Sequence, residues 1–83
     1  MSPGDLATAS RDWQGYNVYA GPSCEGSVIG MIRNHAEVVL ILSKRDEERD
    51  EPFGKYIIRD MYLILSPSVG IGWVFASYLE PAP

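Results

Sequence analysis

One cysteine, Cys24, is all the chain has, so no internal disulfide can close and a fold of 83 residues must hold on its apolar core alone. One histidine, His35, is equally alone. Together they fall short of the four soft or imidazole ligands that zinc takes. Basic residues are sparse as well: seven Lys and Arg stand against eleven Asp and Glu, a net charge of -4. A surface that tracks phosphates needs clustered cations, because its affinity comes from counterion release. This balance argues against nucleic acid, an anionic membrane and an anionic wall polymer. No apolar run exceeds five residues (Val38 to Leu42), far too few to cross a bilayer as a helix. The opening Met1-Ser2-Pro3-Gly4-Asp5 has neither a basic region nor an apolar stretch, so it does not read as a signal peptide. A cytoplasmic protein is the expectation. A domain cut from a larger secreted protein would read the same and would be extracytoplasmic.

What is present points to one small globular domain. Hydrophobic residues make up 46% of the chain, enough for a core and too many for general disorder. Residues 1–12 are small and polar and read as a flexible tail. Leu6 to Arg11 offers at most a helical turn, which would not persist in water. Residues 81–83 read as a second tail.

Between the tails the pattern is β. Asn17-Val18-Tyr19-Ala20 stops at Gly21-Pro22-Ser23, because proline cannot donate to a ladder and forces extended geometry on its predecessor. Val28-Ile29-Gly30-Met31-Ile32 is a second strand, with Gly30 marking a bulge or a tight corner. Val38 to Leu42 is apolar without alternation, which predicts a strand covered on both faces. Lys44 to Glu51 is a charged run that reads as a loop tip. Lys55 to Arg59 and Met61 to Leu65 read as strands, with Asp60 as a break between them. Ser66-Pro67-Ser68-Val69-Gly70 is a hairpin loop. Gly72-Trp73-Val74-Phe75 leads to Ser77-Tyr78-Leu79, and Trp73, set in an apolar strand, is expected in the core.

In order and mostly in spacing, Asn17-Val18-Tyr19-Ala20-Gly21-Pro22-Ser23, Val28-Ile29-Gly30, Val38 to Leu42, Gly72-Trp73-Val74 and Tyr78-Leu79 resemble the bacterial Src-homology-3 (SH3-type) domains. The likeness covers about residues 16 to 80. It departs at Tyr19, where such domains carry arginine, and between Leu42 and Gly72, where the chain is longer than they need. The resemblance implies an all-β fold: a small SH3-like, partly open barrel of five or six strands over residues 13–80, with a long inserted hairpin or loop. The extra length falls in residues 43–60, as an arm, if Met61-Tyr62 opens the fourth strand. It falls in residues 60–70 if Lys55-Tyr56 does.

Chemistry and recognition separate at this point. A nucleophile needs an adjacent base and a group to orient it. Cys24 and His35 are a lone loop thiol and a lone turn imidazole, so the reading is not an enzyme. Asp46, Glu47, Glu48, Asp50 and Glu51 offer oxygens but lack the spacing and central glycine of a calcium loop. No metal and no cofactor is expected. The aromatic residues are the better candidates, because tyrosine keeps a polar tip wet while its ring buries area. Tyr16, Tyr19, Phe75 and Tyr78 are the expected ligand-binding set. In the domains the chain resembles, the same region meets extended peptides or cell-wall peptides. Phe75 replaces their proline, and no acidic cluster follows Tyr19. The arm is the second candidate, with Phe53, Tyr56 and Ile58 as apolar contacts and Arg45 and Arg49 as steering charges. The expected function is a non-catalytic module for protein–protein or peptide recognition, such as an adaptor, inhibitor or accessory domain. The alternative is a wall-targeting module for peptidoglycan peptides. A homodimer through the arm is left open.

Overall fold

A computed structural model describes the backbone of every residue except 22–25, 35–36 and 52–53, and the side chains of all the rest but 46–51 and 54–59. The described residues are all-β. Seven strands form one open antiparallel sheet: β1 (Leu6–Ala9), β2 (Gly15–Tyr19), β3 (Val28–Arg33), β4 (Val38–Glu51), β5 (Gly54–Ser66), β6 (Gly70–Phe75) and β7 (Leu79–Pro81). One 3₁₀ turn, Ala76–Tyr78, joins the last two. The sheet runs β3-β2-β6-β5-β4-β1-β7 and curls into a small, partly open barrel.

Side-chain alternation drives the curl. In β2, Tyr16 and Val18 turn inward while Asn17 and Tyr19 turn out. The inward set from all strands makes one core: Ala7, Ala9, Tyr16, Val18, Ile32, Val39, Ile41, Tyr62, Ile64, Val74 and Leu79. Each fully buried aliphatic side chain there contributes roughly 1.5–3 kcal/mol. The β2–β3 register shifts between Val18 and Tyr19, beside Gly30, where the sequence marks a bulge.

Five expectations change. The sheet has seven strands where five or six were expected, because both ends of the chain join it. Residues 1–12 do not form a tail throughout: Leu6–Ala9 pairs with β4 on one side and β7 on the other. Ala7 and Ala9 are buried because small side chains fit where the two neighbours close over them. Pro81, expected in a tail, ends β7 at the sheet edge, the one place a strand tolerates a missing donor. Lys44–Glu51 is also no loop tip. It continues β4, and Glu47 to Glu51 face Ile58 to Gly54 across the ladder. Cross-strand pairing with that β-prone partner overrides the weak strand preference of the charged residues. Asp60 does not break β5.

The long β4–β5 hairpin changes its pairing along its length. Residues 61–65 of β5 pair with both β4 and β6. Residues 54–58 pair with β4 alone. The hairpin beyond Arg45 and Met61 therefore leaves the barrel as a two-stranded ribbon, and the molecule measures 42 × 23 × 22 Å.

Val38 to Leu42 is covered on one face only. Val39 and Ile41 are buried, while Val38 and Leu42 are exposed. Trp73 is likewise half-buried rather than in the core, because Gly72 and Val74 take the inward positions of β6 and alternation puts the indole outside.

Candidate functional site

The site is built where β2, β6 and the 3₁₀ turn meet. Gly70 opens β6 with φ 94°, a conformation side chains rarely adopt, and so lets the chain reverse after Ser66. The ladder then carries β6 back along β5 and sets Trp73 opposite Tyr19 of β2. Gly72 makes that approach feasible. A Cβ there would meet Val18 Cγ1, would lie 2.9 Å from Ile29 Cδ1 and would lie 3.2 Å from the Tyr19 carbonyl oxygen.

Four rings follow one another across this region. Tyr19 and Phe75 meet edge to face with centroids 6.0 Å apart. Phe75 and Tyr78 meet the same way at 5.3 Å. Tyr78 lies on Tyr16 at 4.6 Å with a tilt of 36°. Edge-to-face and offset contacts of this kind hold aromatic side chains in place beyond what area burial gives. Tyr19, Phe75 and Tyr78 are half-buried and present part of each ring to solvent.

Tyr16 is different. It was expected at the surface and is 4% exposed. Its position in β2 has the same parity as Val18, which faces the core. Its hydroxyl donates to the Ser10 carbonyl at 3.0 Å and accepts from the Trp13 amide at 3.1 Å. Tyr16 is thus the floor beneath Tyr78 and the anchor of the β1–β2 connection.

A residue that sequence reasoning passed over completes the site. Trp13 is 70% exposed. Its carbonyl accepts a hydrogen bond from Asn34 Nδ2 at 2.7 Å, and its amide is held by Tyr16. With Gly15, Tyr16, Asn17 and Tyr78 it lines a hollow of about 170 Å³ at the end of the aromatic run. The signal was available: Trp13 stands between Asp12 and Gln14, with no apolar neighbour to share a buried face.

The other expected residues lie elsewhere. Arg45 is half-buried in β4 opposite Met61, at the root of the ribbon. Arg49, Tyr56 and Ile58 lie on the ribbon strands, with their side chains outside the described set. Phe53, Cys24 and His35 fall outside the described residues. Among the described residues, no group of three or more His, Cys, Asp or Glu could hold a metal ion. No protein-family model, curated protein or solved structure matches the chain.

A second hollow, of about 440 Å³, is lined by Met31, Arg33, Glu37, Pro67 and Ser68. Glu37 accepts from Ser66 Oγ at 2.9 Å, from the Ser68 amide at 3.1 Å and from Ser68 Oγ. Burial pushes its carboxyl up. The side-chain bonds from Ser68 and Ser66 and the Ser68 amide bond push it down, and the balance lies below the ordinary carboxylate value. These bonds clamp the Ser66–Gly70 hairpin, so the carboxylate is committed to the fold.

Proposed function

We propose that the chain is a non-catalytic binding module of the SH3 type that recognises a protein or peptide along the run Tyr19–Phe75–Tyr78. One observation carries this reading. Binding candidates from two separate stretches of sequence, 16–19 and 75–78, lie ring against ring, and three of them are only half-buried. Half-exposed aromatics held ring against ring lose little entropy when a ligand covers them, which is why such side chains dominate binding energy. Recognition of this kind calls for no reactive centre and no cofactor, and a cytoplasmic setting fits the composition.

The ribbon beyond Arg45 and Met61 is a second recognition element in this proposal. Its strands have free edges past the barrel, and free edges template pairing with other chains.

Tyr78→Ala and Phe75→Ala test the first element. Each should weaken capture of an affinity-selected peptide by about tenfold or more while the protein stays folded, the loss expected for a binding hot spot. Unchanged affinity in both sinks it. Replacing residues 46–60 by Asn-Gly tests the second, since a two-residue turn suits a hairpin closed by Arg45 and Met61. Undiminished binding removes the ribbon from recognition. Co-sedimentation with purified peptidoglycan sacculi would instead favour wall-peptide targeting.

A further inference from the structure

Strand β3 ends the sheet, and among the described residues no strand pairs with its far side. The ladder with β2 fixes which backbone groups face that open side. The Asn34 amide donates to the Gln14 carbonyl at 3.2 Å, so Gln14 and Asn34 are a hydrogen-bonded pair. Bonded and non-bonded pairs alternate along an antiparallel ladder. Tyr16 with Ile32 and Val18 with Gly30 are therefore bonded pairs, while Gly15 with Arg33 and Asn17 with Met31 are not. The N–H and C=O groups of Met31 and Arg33 thus point away from β2, to the open edge. Edges are commonly blunted by lysine, proline or a bulge. The bulge in β3 lies at Val28 to Gly30, and residues 31–33 beyond it stay in register and carry neither lysine nor proline.

The side chains add specificity. Met31 and Arg33 are exposed on one face, with Ile32 between them turned to the core. Both line the hollow of about 440 Å³ whose other wall is Glu37, Pro67 and Ser68. Among the described residues nothing forms an ion pair or hydrogen bond with the Arg33 guanidinium. Glu37, the acid in the same hollow, is already engaged by Ser66 and Ser68. We propose that the edge at Met31–Arg33 takes up an extended strand of a partner protein, antiparallel to β3, with a carboxylate on Arg33 and an apolar side chain on Met31.

Donors and acceptors that recur at every second residue are matched by another extended chain, whose main chain supplies affinity while pockets supply specificity. Antiparallel addition continues the pattern of the whole sheet and bonds slightly better per residue than parallel. Opposed residues share a face, so the partner residue on Arg33 precedes by two the residue on Met31. The partner's motif is acidic, any, apolar. A second copy does not supply it: β3 is Val-Ile-Gly-Met-Ile-Arg and brings no carboxylate to Arg33. The contact is separate from the aromatic run, which lies on the β6 side of β2.

The probe is a fluorescent peptide, Thr-Thr-Glu-Thr-Val-Thr-Thr, titrated into the whole chain and followed by anisotropy. It should bind with a Kd below about 1 mM. N-methylation of the Glu or the Val amide removes a donor to β3 and should weaken binding about tenfold. N-methylation of the Thr between them, whose amide faces away, should leave the affinity near the parent value. Arg33→Glu should weaken binding about tenfold, and Lys in place of the peptide's Glu should restore it, a rescue that a merely structural role would not give. Arg33 is exposed, so circular dichroism should match the parent. Absence of binding up to about 1 mM overturns the proposal. So does equal loss from all three N-methyl positions, or an Arg33→Glu variant that binds as before. Loss of binding in Tyr78→Ala would assign the peptide to the aromatic run, and a dimer in sedimentation that competes with the peptide would place a second copy on the edge. Either overturns it too.

Discussion

The ring of Tyr78 rests 4.6 Å from that of Tyr16, and the hydroxyl of Tyr16 in turn holds the Ser10 carbonyl and the Trp13 amide. In the proposed reading one side chain faces the ligand and the other positions it. They should fail differently when changed. Tyr16→Phe strands two backbone groups and should cost about 1–2 kcal/mol of stability, with a small effect on binding carried through Tyr78 and Trp13. Tyr78→Ala should do the reverse. Urea unfolding and peptide titration on both variants separate the roles. Equal stability losses would show that Tyr78 is structural too.

Gly72 is the tightest backbone position beneath the aromatic run. Alanine there would drive its Cβ into Val18 Cγ1 and against Ile29 Cδ1, with the Tyr19 carbonyl behind. Val18 is a fully buried core residue and cannot swing away. Gly72→Ala should therefore destabilise by about 1–3 kcal/mol, the usual cost of overpacking. Gly21→Ala, where a Cβ meets nothing within 4 Å among the described residues, is the control and should leave the unfolding midpoint unchanged. A neutral Gly72→Ala would mean that β2 and β6 are less closely packed than the register of Tyr19 on Trp73 requires.

How much of this was legible follows from which forces are local. Tyr19, Phe75 and Tyr78 could be placed because each sits in or beside a short strand bounded by glycine or proline, whose backbone rules act within a few residues. The burial of Tyr16 was readable from its parity with Val18, but exposure was inferred from residue type instead. Strand β1 was not legible. Leu6-Ala7-Thr8-Ala9 has little strand preference of its own and exists because β4 and β7 flank it. Lys44–Glu51 misleads for the same reason, since its strand comes from pairing with Met61 and Tyr62 and with residues 54–58. The open edge of β3 depends on how every other strand pairs, and no single stretch of sequence contains it.

Thr8 tests the account of β1. Among the described residues, its Oγ1 is buried with no hydrogen-bond partner. A buried hydroxyl without a partner costs free energy that an isosteric methyl does not. Thr8→Val should raise stability by about 1 kcal/mol, read as a higher urea midpoint with an unchanged slope. Thr8→Ala removes the hydroxyl and also leaves a void between β4 and β7, so it should gain less or lose. Destabilisation by valine would show that the hydroxyl is satisfied.

Glu37 contributes to the acid limb of stability. Its carboxyl lies below its ordinary value in the folded state, because the bonds from Ser68 and Ser66 outweigh burial. The sign follows from linkage. A group with a depressed folded value contributes its stability above the unfolded value, and loses it as pH falls from there through the folded one. Glu37 is largely solvated, so the contribution is modest. Between about pH 7 and about pH 3 the parent should lose stability as this carboxylate protonates, on top of whatever other carboxylates contribute. Glu37→Gln should begin less stable at neutral pH, because its amide cannot accept from Ser66 and Ser68 as strongly, and should fall less steeply. Urea midpoints at both pH values give the two slopes. Parallel slopes would exclude Glu37 as a contributor and would leave the Ser66–Gly70 hairpin held by the positive φ of Gly70 and the Val69 amide bond to Ser66 Oγ at 3.2 Å.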